Sequence, residues 1–419
     1  MRVLFLHNNF PAQFRHVAHA LAQSGSNQVV FATQNRTGSI PGVTKVHYAA
    51  KRETGPAVHP YVRGFESAVL NGQAVYRLAL GLKQRGFSPD LVVGHSGWGP
   101  TLYIRDVFPD AKLINYFEWY YRAHGSDADF LPDAALSADD ECRIRTRNAP
   151  ILLDVTNCDL GVTPTRWQRR QFPELLRPKL RVLHDGIDTD FFRPEPGAKL
   201  KLDGLDLSAA PEIVTYATRG MEPYRGFPQF MRAMALVQHR RPRCHVVVVG
   251  EDRVAYGRKL PAGESYKKRL LAEVDLDPDR IHFTGLLPYA AYRRVLQASA
   301  AHVYGTVPFV LSWSLIEAMA AGCAIVASDT APVREVLEDG RNAKLYDFFS
   351  PEALADRVVG ILESPAAARP MRRAARETVL RDYALTDLLP RQLRLYDDVV
   401  AGRVSPRDPA AAPRRRADA

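Results

Sequence analysis

Cysteine is scarce in these 419 residues: Cys142, Cys158, Cys244 and Cys323 stand far apart with no paired spacing. That excludes a disulfide framework or zinc ribbon and fits a reducing, cytoplasmic compartment, with the thiols as small buried hydrophobes. Long apolar runs are missing too. The opening MRVLFLHNNF carries an apolar run about half the length of a signal segment, with no small-residue cleavage site behind it, so it reads as a first strand. From Ala301 to Ile316 there is no Asp, Glu, Lys or Arg, but Gly305 and Pro308 interrupt the stretch and Glu317 closes it. A strand, a loop and a helix fit this better than a membrane span.

A concentrated basic face is also lacking. The formal charge is +10, yet residues 1–190 hold 22 basic against 18 acidic side chains and the remainder 34 against 28, so neither half is a nucleic-acid module. The tail from Arg403, with Arg414, Arg415 and Arg416, is Pro- and Ala-rich. It reads as disordered, either simply solvated or making a weak contact with an anionic membrane surface. An apolar share of 46% with 24% charged residues belongs to a globular chain, and the length accommodates two or three domains.

What is present is alternation. RVLFLH, QVVFAT, LVVGH, AKLINYF and LGVTP read as short buried strands separated by helical patterns such as AQFRHVAHALAQ. After a Pro- and Gly-rich connector, FFRPEPGAKLKLDGLDLSAAPE, the series restarts with EIVTYAT, CHVVVVG, IHFTG, AHVYG and CAIVAS. This is α/β organisation: two doubly wound parallel-sheet domains, 1–190 and 191–385, then a helix over 386–402 returning toward the first domain and a basic tail over 403–419. Ligands of such sheets sit at the carboxyl ends of strands. The strand-end loops are HNNFP, GHSGWG and YFEWYY in the first half, and ATRGMEPYRG, FTGLLP and VPFVLSWS in the second.

Those loops supply the candidates. Arg219 and Arg225, flanked by Gly220 and Gly226, form a loop able to hold a diphosphate between two guanidinium groups, although solvated surface arginines look the same. Ser312, Trp313 and Ser314 open a helix expected over Leu315–Ala321, whose free N–H groups suit a phosphate. Glu317 is the acid of an apolar segment: with Ser314 it matches a capping box, and it also suits a sugar hydroxyl. His95 marks either an active-site loop or a tight turn. Glu118 sits among aromatics that either raise its pKa for acid–base work and stack on sugars or simply pack as core. LHNNFPAQF holds no glycine, so a dinucleotide fingerprint is absent after the first strand. Asp-x-Asp triplets recur too often to mark a metal site, and no metal is implied.

In its motifs the chain resembles the family-4 retaining glycosyltransferases of the two-domain GT-B fold. ATRGMEPYRGF resembles the donor loop, LIEAMAAGCAIVASDTAPVREVLEDG the helix and strand after the donor site, and HDGIDTDFFRP the domain-joining motif. The resemblance implies a metal-independent hexosyltransferase using a nucleotide-diphosphate sugar, UDP in preference to GDP, with no cofactor and no nucleic acid. It implies that Arg219 and Arg225 stabilise the departing diphosphate, with Gly220, Gly285, Leu286, Ser312, Trp313 and Ser314 around the donor and Glu317 on its ribose. Asn8, Asn9, Phe10, His95, Trp98 and Glu118 fall on the acceptor side, His95 and Glu118 as catalytic candidates. The acceptor class is a glycan, a lipid-linked sugar or a small molecule. The family pattern usually has a second glutamate where this chain has Phe309. That departure keeps open a catalytically silent nucleotide-sugar-binding relative, or a GT-B phosphorylase or epimerase.

Overall fold

The computed structural model describes residues 1–132 and 135–404. Most of the basic tail, including Arg414, Arg415 and Arg416, lies outside the described residues. The chain divides into two compact units, one made of Met1–Asp185 and the chain from Thr386 onward, the other of Gly186–Leu385. The sequence reading put the division five residues later. The backbone explains the position: the Ile187 N–H donates to the Tyr383 carbonyl at 2.8 Å and the Leu385 N–H to the Ile187 carbonyl at 2.9 Å, tying the two crossing segments together.

In the first unit β1 (Arg2–Leu6), β2 (Gln28–Thr33), β3 (Val43–His47), β4 (Leu91–His95), β5 (Lys112–Tyr116), β6 (Leu160–Thr163) and β7 (Leu180–Val182) form one sheet in the order β3-β2-β1-β4-β5-β6-β7. Every pairing is parallel. Buried strands such as LVVGH are apolar at nearly every position because helices cover both faces. Val3, Phe5 and Leu91 face one core layer, Leu4, Leu6 and Val92 the other. The helix Leu385–Val400 packs Tyr396 and Val399 into the first of these layers.

The second unit begins with an antiparallel hairpin, β8 (Lys201–Leu202) and β9 (Leu205–Asp206), inside the segment read as a bare connector. Then β10 (Glu212–Gly220), β11 (Cys244–Glu251), β12 (Ile281–Gly285), β13 (Ala301–Tyr304), β14 (Ile325–Ser328) and β15 (Lys344–Tyr346) make a parallel sheet in the order β12-β11-β10-β13-β14-β15. In both sheets the order reverses beside the first strand, between β1 and β4 and between β10 and β13. Ligands of doubly wound sheets bind beyond the carboxyl ends at that reversal. No helix among the described residues is long and apolar enough to cross a membrane. Of the four cysteines three are buried, but Cys142 is exposed on a polar helix, contrary to its expected place in a core.

Candidate functional site

In the second unit the reversal brings the loop after β10 beside the loop after β13. A small cavity of about 20 Å³ there is lined by Arg219, Arg225, Tyr256, Tyr304, Ser312 and Ser314, among others. Arg225 is buried, and its Nη1 donates to Thr306 Oγ1 and to the Val310 carbonyl, each at 2.9 Å, and to the Tyr304 hydroxyl at 3.4 Å. Those partners are uncharged. Its guanidinium also lies 5.0 Å from the Tyr256 ring centroid and 5.8 Å from that of Phe309. A cation held in this way is rigid and aimed, the state an anion-binding group needs. Arg219, by contrast, is exposed.

Glu222 sits between them in sequence and was not singled out. Fully buried, its carboxylate accepts from the N–H groups of Ala255 at 2.9 Å, Tyr256 at 3.1 Å and Gly257 at 2.7 Å. It therefore fixes the loop that lays Tyr256 over Arg225. Gly250 completes the support: its φ is +137°, and a Cβ built there would run into the Thr218 carbonyl oxygen, one residue before Arg219.

The helix expected over Leu315–Ala321 runs over Trp313–Ala320, with Ser312 at its N-cap. This overturns the capping box. Glu317 falls in the fifth helical position, beyond reach of the cap, and the Ser314 hydroxyl donates to Ser312 Oγ at 3.0 Å. The Ser312 N–H itself donates to the Tyr304 hydroxyl at 2.9 Å. Glu317 is buried, and its Oε1 accepts from the Tyr289 hydroxyl at 3.2 Å. Burial pushes its pKa up to about 7, with Tyr289 and Tyr292 working in the opposite direction. Gly220, Gly285, Leu286, Trp313 and Glu317 do not line the Arg225 cavity. A Cβ at Gly220 would lie 2.6 Å from the Arg253 carbonyl oxygen, Gly285 has a φ of +67°, and Leu286 is 64% exposed. Phe309 is buried, its ring centroid 5.6 Å from Tyr224 and 5.3 Å from Tyr256.

In the first unit the reversal gathers the loops after β1, β4 and β5. His95 stacks on Trp98 at 4.2 Å with an interplanar angle of 8°, and His7 meets both edge-on at 4.8 and 5.4 Å. His95 Nδ1 lies 2.9 Å from the Ser96 carbonyl oxygen, so that nitrogen carries a proton. Its Nε2 lies 3.4 Å from Glu118 Oε2. Asp154, which the sequence did not single out, orders this loop: it accepts from Ser96 Oγ and Thr101 Oγ1, both at 2.7 Å, and from the Gly97 N–H at 3.2 Å. Burial pushes it up to about 6, those hydrogen bonds and His95 acting the other way.

The remaining acceptor-side candidates divide. Asn8 accepts from the Tyr48 hydroxyl at 2.7 Å, and its carbonyl accepts from Thr33 Oγ1, so it ties the loop to the sheet. Asn9 is exposed, its N–H donating to His7 Nδ1 at 2.8 Å. Phe10 packs edge-on against Phe31 at 4.9 Å under Lys45 and belongs to the core margin. In NYFEWYY, Phe117 and Trp119 are buried as core, leaving Trp98 as the half-exposed aromatic beside His95. Among the described residues no group of three or more His, Cys, Asp or Glu is arranged to hold a metal ion.

Two family models match in succession, the glycosyl transferase family 4 group over residues 25–192 and the glycosyl transferases group 1 over residues 206–378. The chain belongs to this family of GT-B glycosyltransferases. Among relatives it is 28% identical over 238 residues to a phosphatidyl-myo-inositol mannosyltransferase of Mycobacterium tuberculosis, covering 56% of this chain and 57% of that protein. A GDP-mannose-dependent alpha-(1-6)-phosphatidylinositol monomannoside mannosyltransferase of Mycolicibacterium smegmatis is 24% identical over 247 residues, covering 54% and 59%. The match thus spans little more than half the length of these curated relatives. Among solved structures, HepE of Anabaena in complex with UDP and glucose superposes with a TM-score of 0.70 at 15% identity, covering 95% of this chain and all of that one. Likeness at that identity concerns the fold.

Proposed function

We propose that this protein transfers a hexose, with retention and without a metal ion, from a nucleoside-diphosphate sugar to a glycan, lipid-linked or small-molecule acceptor. The observation that carries the reading is Arg225, a buried guanidinium with uncharged hydrogen-bond partners at the reversal of the second sheet, sharing its cavity with Arg219, Ser312 and Ser314. Charge grows on the diphosphate as the bond to the sugar breaks. A donor fixed beforehand stabilises that charge without reorganising during the reaction. Arg219, exposed at the rim, closes on the same group. Glu317 accepts the ribose hydroxyls, and its ionised form does so best.

In the first unit Glu118, beside His95, takes up the proton that the acceptor hydroxyl loses, while Trp98 offers an apolar face to a sugar or polyol. Asp154 keeps the loop in register. Phe309 gives the sugar an aromatic neighbour where relatives of this pattern usually present a carboxylate.

UDP is the preferred nucleotide in this reading, in keeping with the ligands of HepE; the M. smegmatis relative is named for GDP-mannose. Both bases therefore belong in the test. A panel of UDP- and GDP-sugars followed by melting temperature, then by turnover in EDTA, should give a UDP-sugar that stabilises the protein and is consumed without added metal. Activity lost in EDTA and restored by manganese would overturn the metal-independent reading. Stabilisation without turnover would favour the silent relative, and sugar transfer to inorganic phosphate a phosphorylase.

A further inference from the structure

A second cavity, of about 830 Å³, opens at the other end of the same sheet. Ile213 at the start of β10, Ala300 just before β13 and Gly322 before β14 line it, so it lies at the amino ends of strands whose carboxyl ends carry the Arg225 cavity. One wall is the helix Arg369–Asp382. Arg369, Arg372, Arg373 and Arg376 all line the cavity, at spacings of three, four and seven that put them on one face.

This placement goes against the local electrostatics. The first turn of a helix favours acidic side chains, yet this one has none and begins with arginines that repel one another. Nearby groups do little to neutralise them. Arg372 Nε donates to the Gly322 carbonyl at 2.6 Å, and Arg376 donates to the carbonyls of Phe192 at 3.1 Å, Thr189 at 3.3 Å and Ala320. Carbonyl oxygens orient a guanidinium without cancelling its charge. Glu377 is 3.8 Å from Arg373, and Glu195 is the other acid in the lining, while Lys199 adds a fifth cation. Burial lowers the pKa of Arg376, with Asp190 acting in the opposite direction. Local rules broken in this way mark sites that the fold supports for another purpose.

We propose that this cavity binds a phosphate-bearing small molecule, with Arg369 and Arg373 gripping the phosphate and Arg372 and Arg376 setting the field around it. Guanidinium forks match phosphate oxygens in pairs. The volume falls within the range of roughly 300–1,000 Å³ typical of small-molecule sites. Leu200, Leu207 and Ile213 supply an apolar floor for the uncharged body of the ligand. Arg372 and Arg376 also hold carbonyls at the end of the segment Trp313–Gly322, which begins beside Ser312. A ligand drawing on either would tug at the segment that carries Glu317.

The test uses glucose 6-phosphate and pyrophosphate as probes on the full chain bearing Arg219→Gln, which weakens anion capture at the other cavity. Arginine-directed labelling by phenylglyoxal, read peptide by peptide in a mass spectrometer, should slow by about tenfold at Arg369 and Arg373 once a probe stands near ten times its Kd. With Arg219 intact, Arg369→Gln/Arg373→Gln, both at exposed positions, should lose the rise in melting temperature caused by glucose 6-phosphate while keeping the rise caused by UDP. Unchanged labelling, an undiminished probe response in the double variant, or binding of citrate but of neither phosphate would overturn the proposal.

Discussion

Replacing Glu317 by Gln should make the protein more stable and a poorer binder of nucleotide. Burial raises this carboxyl from 4.5 to about 7 in the folded chain. Between those values the folded state holds more protons than the unfolded one, so stability falls as pH rises. The contribution is fully present below 4.5 and lost as pH climbs through about 7. A gap of that size corresponds to about 3 kcal/mol at pH 8. Gln keeps the shape and can still meet the Tyr289 hydroxyl but carries no charge, so Glu317→Gln should match the wild type near pH 4.5 and exceed it at pH 8. For a unit of this size the gain is roughly 5–10 °C in melting temperature. Titrated with UDP at pH 8, the same variant should bind more weakly by about 1–2 kcal/mol, because a charged acceptor has become a neutral one. A melting temperature that does not separate from the wild type between pH 5 and 8 would show that the buried charge costs nothing. Equal UDP affinities would remove the ribose role.

Arg225→Ala should lower turnover by roughly tenfold to a thousandfold, the loss of about 1.4–4 kcal/mol of transition-state stabilisation, and wild-type kinetics in a folded variant would sink the assignment. Asp154→Ala strands the hydroxyls of Ser96 and Thr101, so urea unfolding should register a loss of about 2–4 kcal/mol; a loss below half a kilocalorie would mean the loop stands without it. Gly250→Ala forces a side chain against the Thr218 carbonyl at a φ that alanine avoids, and should weaken UDP binding through the displaced Arg219 loop even where the protein still folds. Unchanged affinity would show that the loop is set by other contacts.

The central strands were legible because a sheet covered on both faces demands near-continuous apolar runs, and VVVV in β11 can hardly be anything else. The margins were not. β3 carries Lys45 and His47 on an edge, β7 and β15 are three residues each, and the Asp203-Gly204 turn that makes the β8–β9 hairpin was hidden in a polar connector. Grouping Arg225 with Ser312 and Ser314 came from the resemblance of their strand-end loops to a donor site; the reversal of strand order that brings those loops together became visible only in the structure. Glu222 and Asp154 were out of reach for a different reason: their partners lie 33–35 and 53–58 residues away, and nothing local separates a carboxylate that organises a loop from one in solvent. The Ser314–Glu317 spacing misled because a pattern of two residues cannot say where the helix begins.

The helix Leu385–Val400 gives the first unit a schedule as well as a cover. Tyr396 and Val399 close an apolar layer laid down by Val3, Phe5 and Leu91, so nearly four hundred residues separate the two sides of one core. During synthesis the amino-terminal sheet waits, with the part of that face not covered by Phe14, Val17 and Leu21 still open, until the whole second unit has emerged. A chain cut after Asp185 would keep every strand of its sheet and still leave the portion of that face under Tyr396 and Val399 exposed to the next molecule.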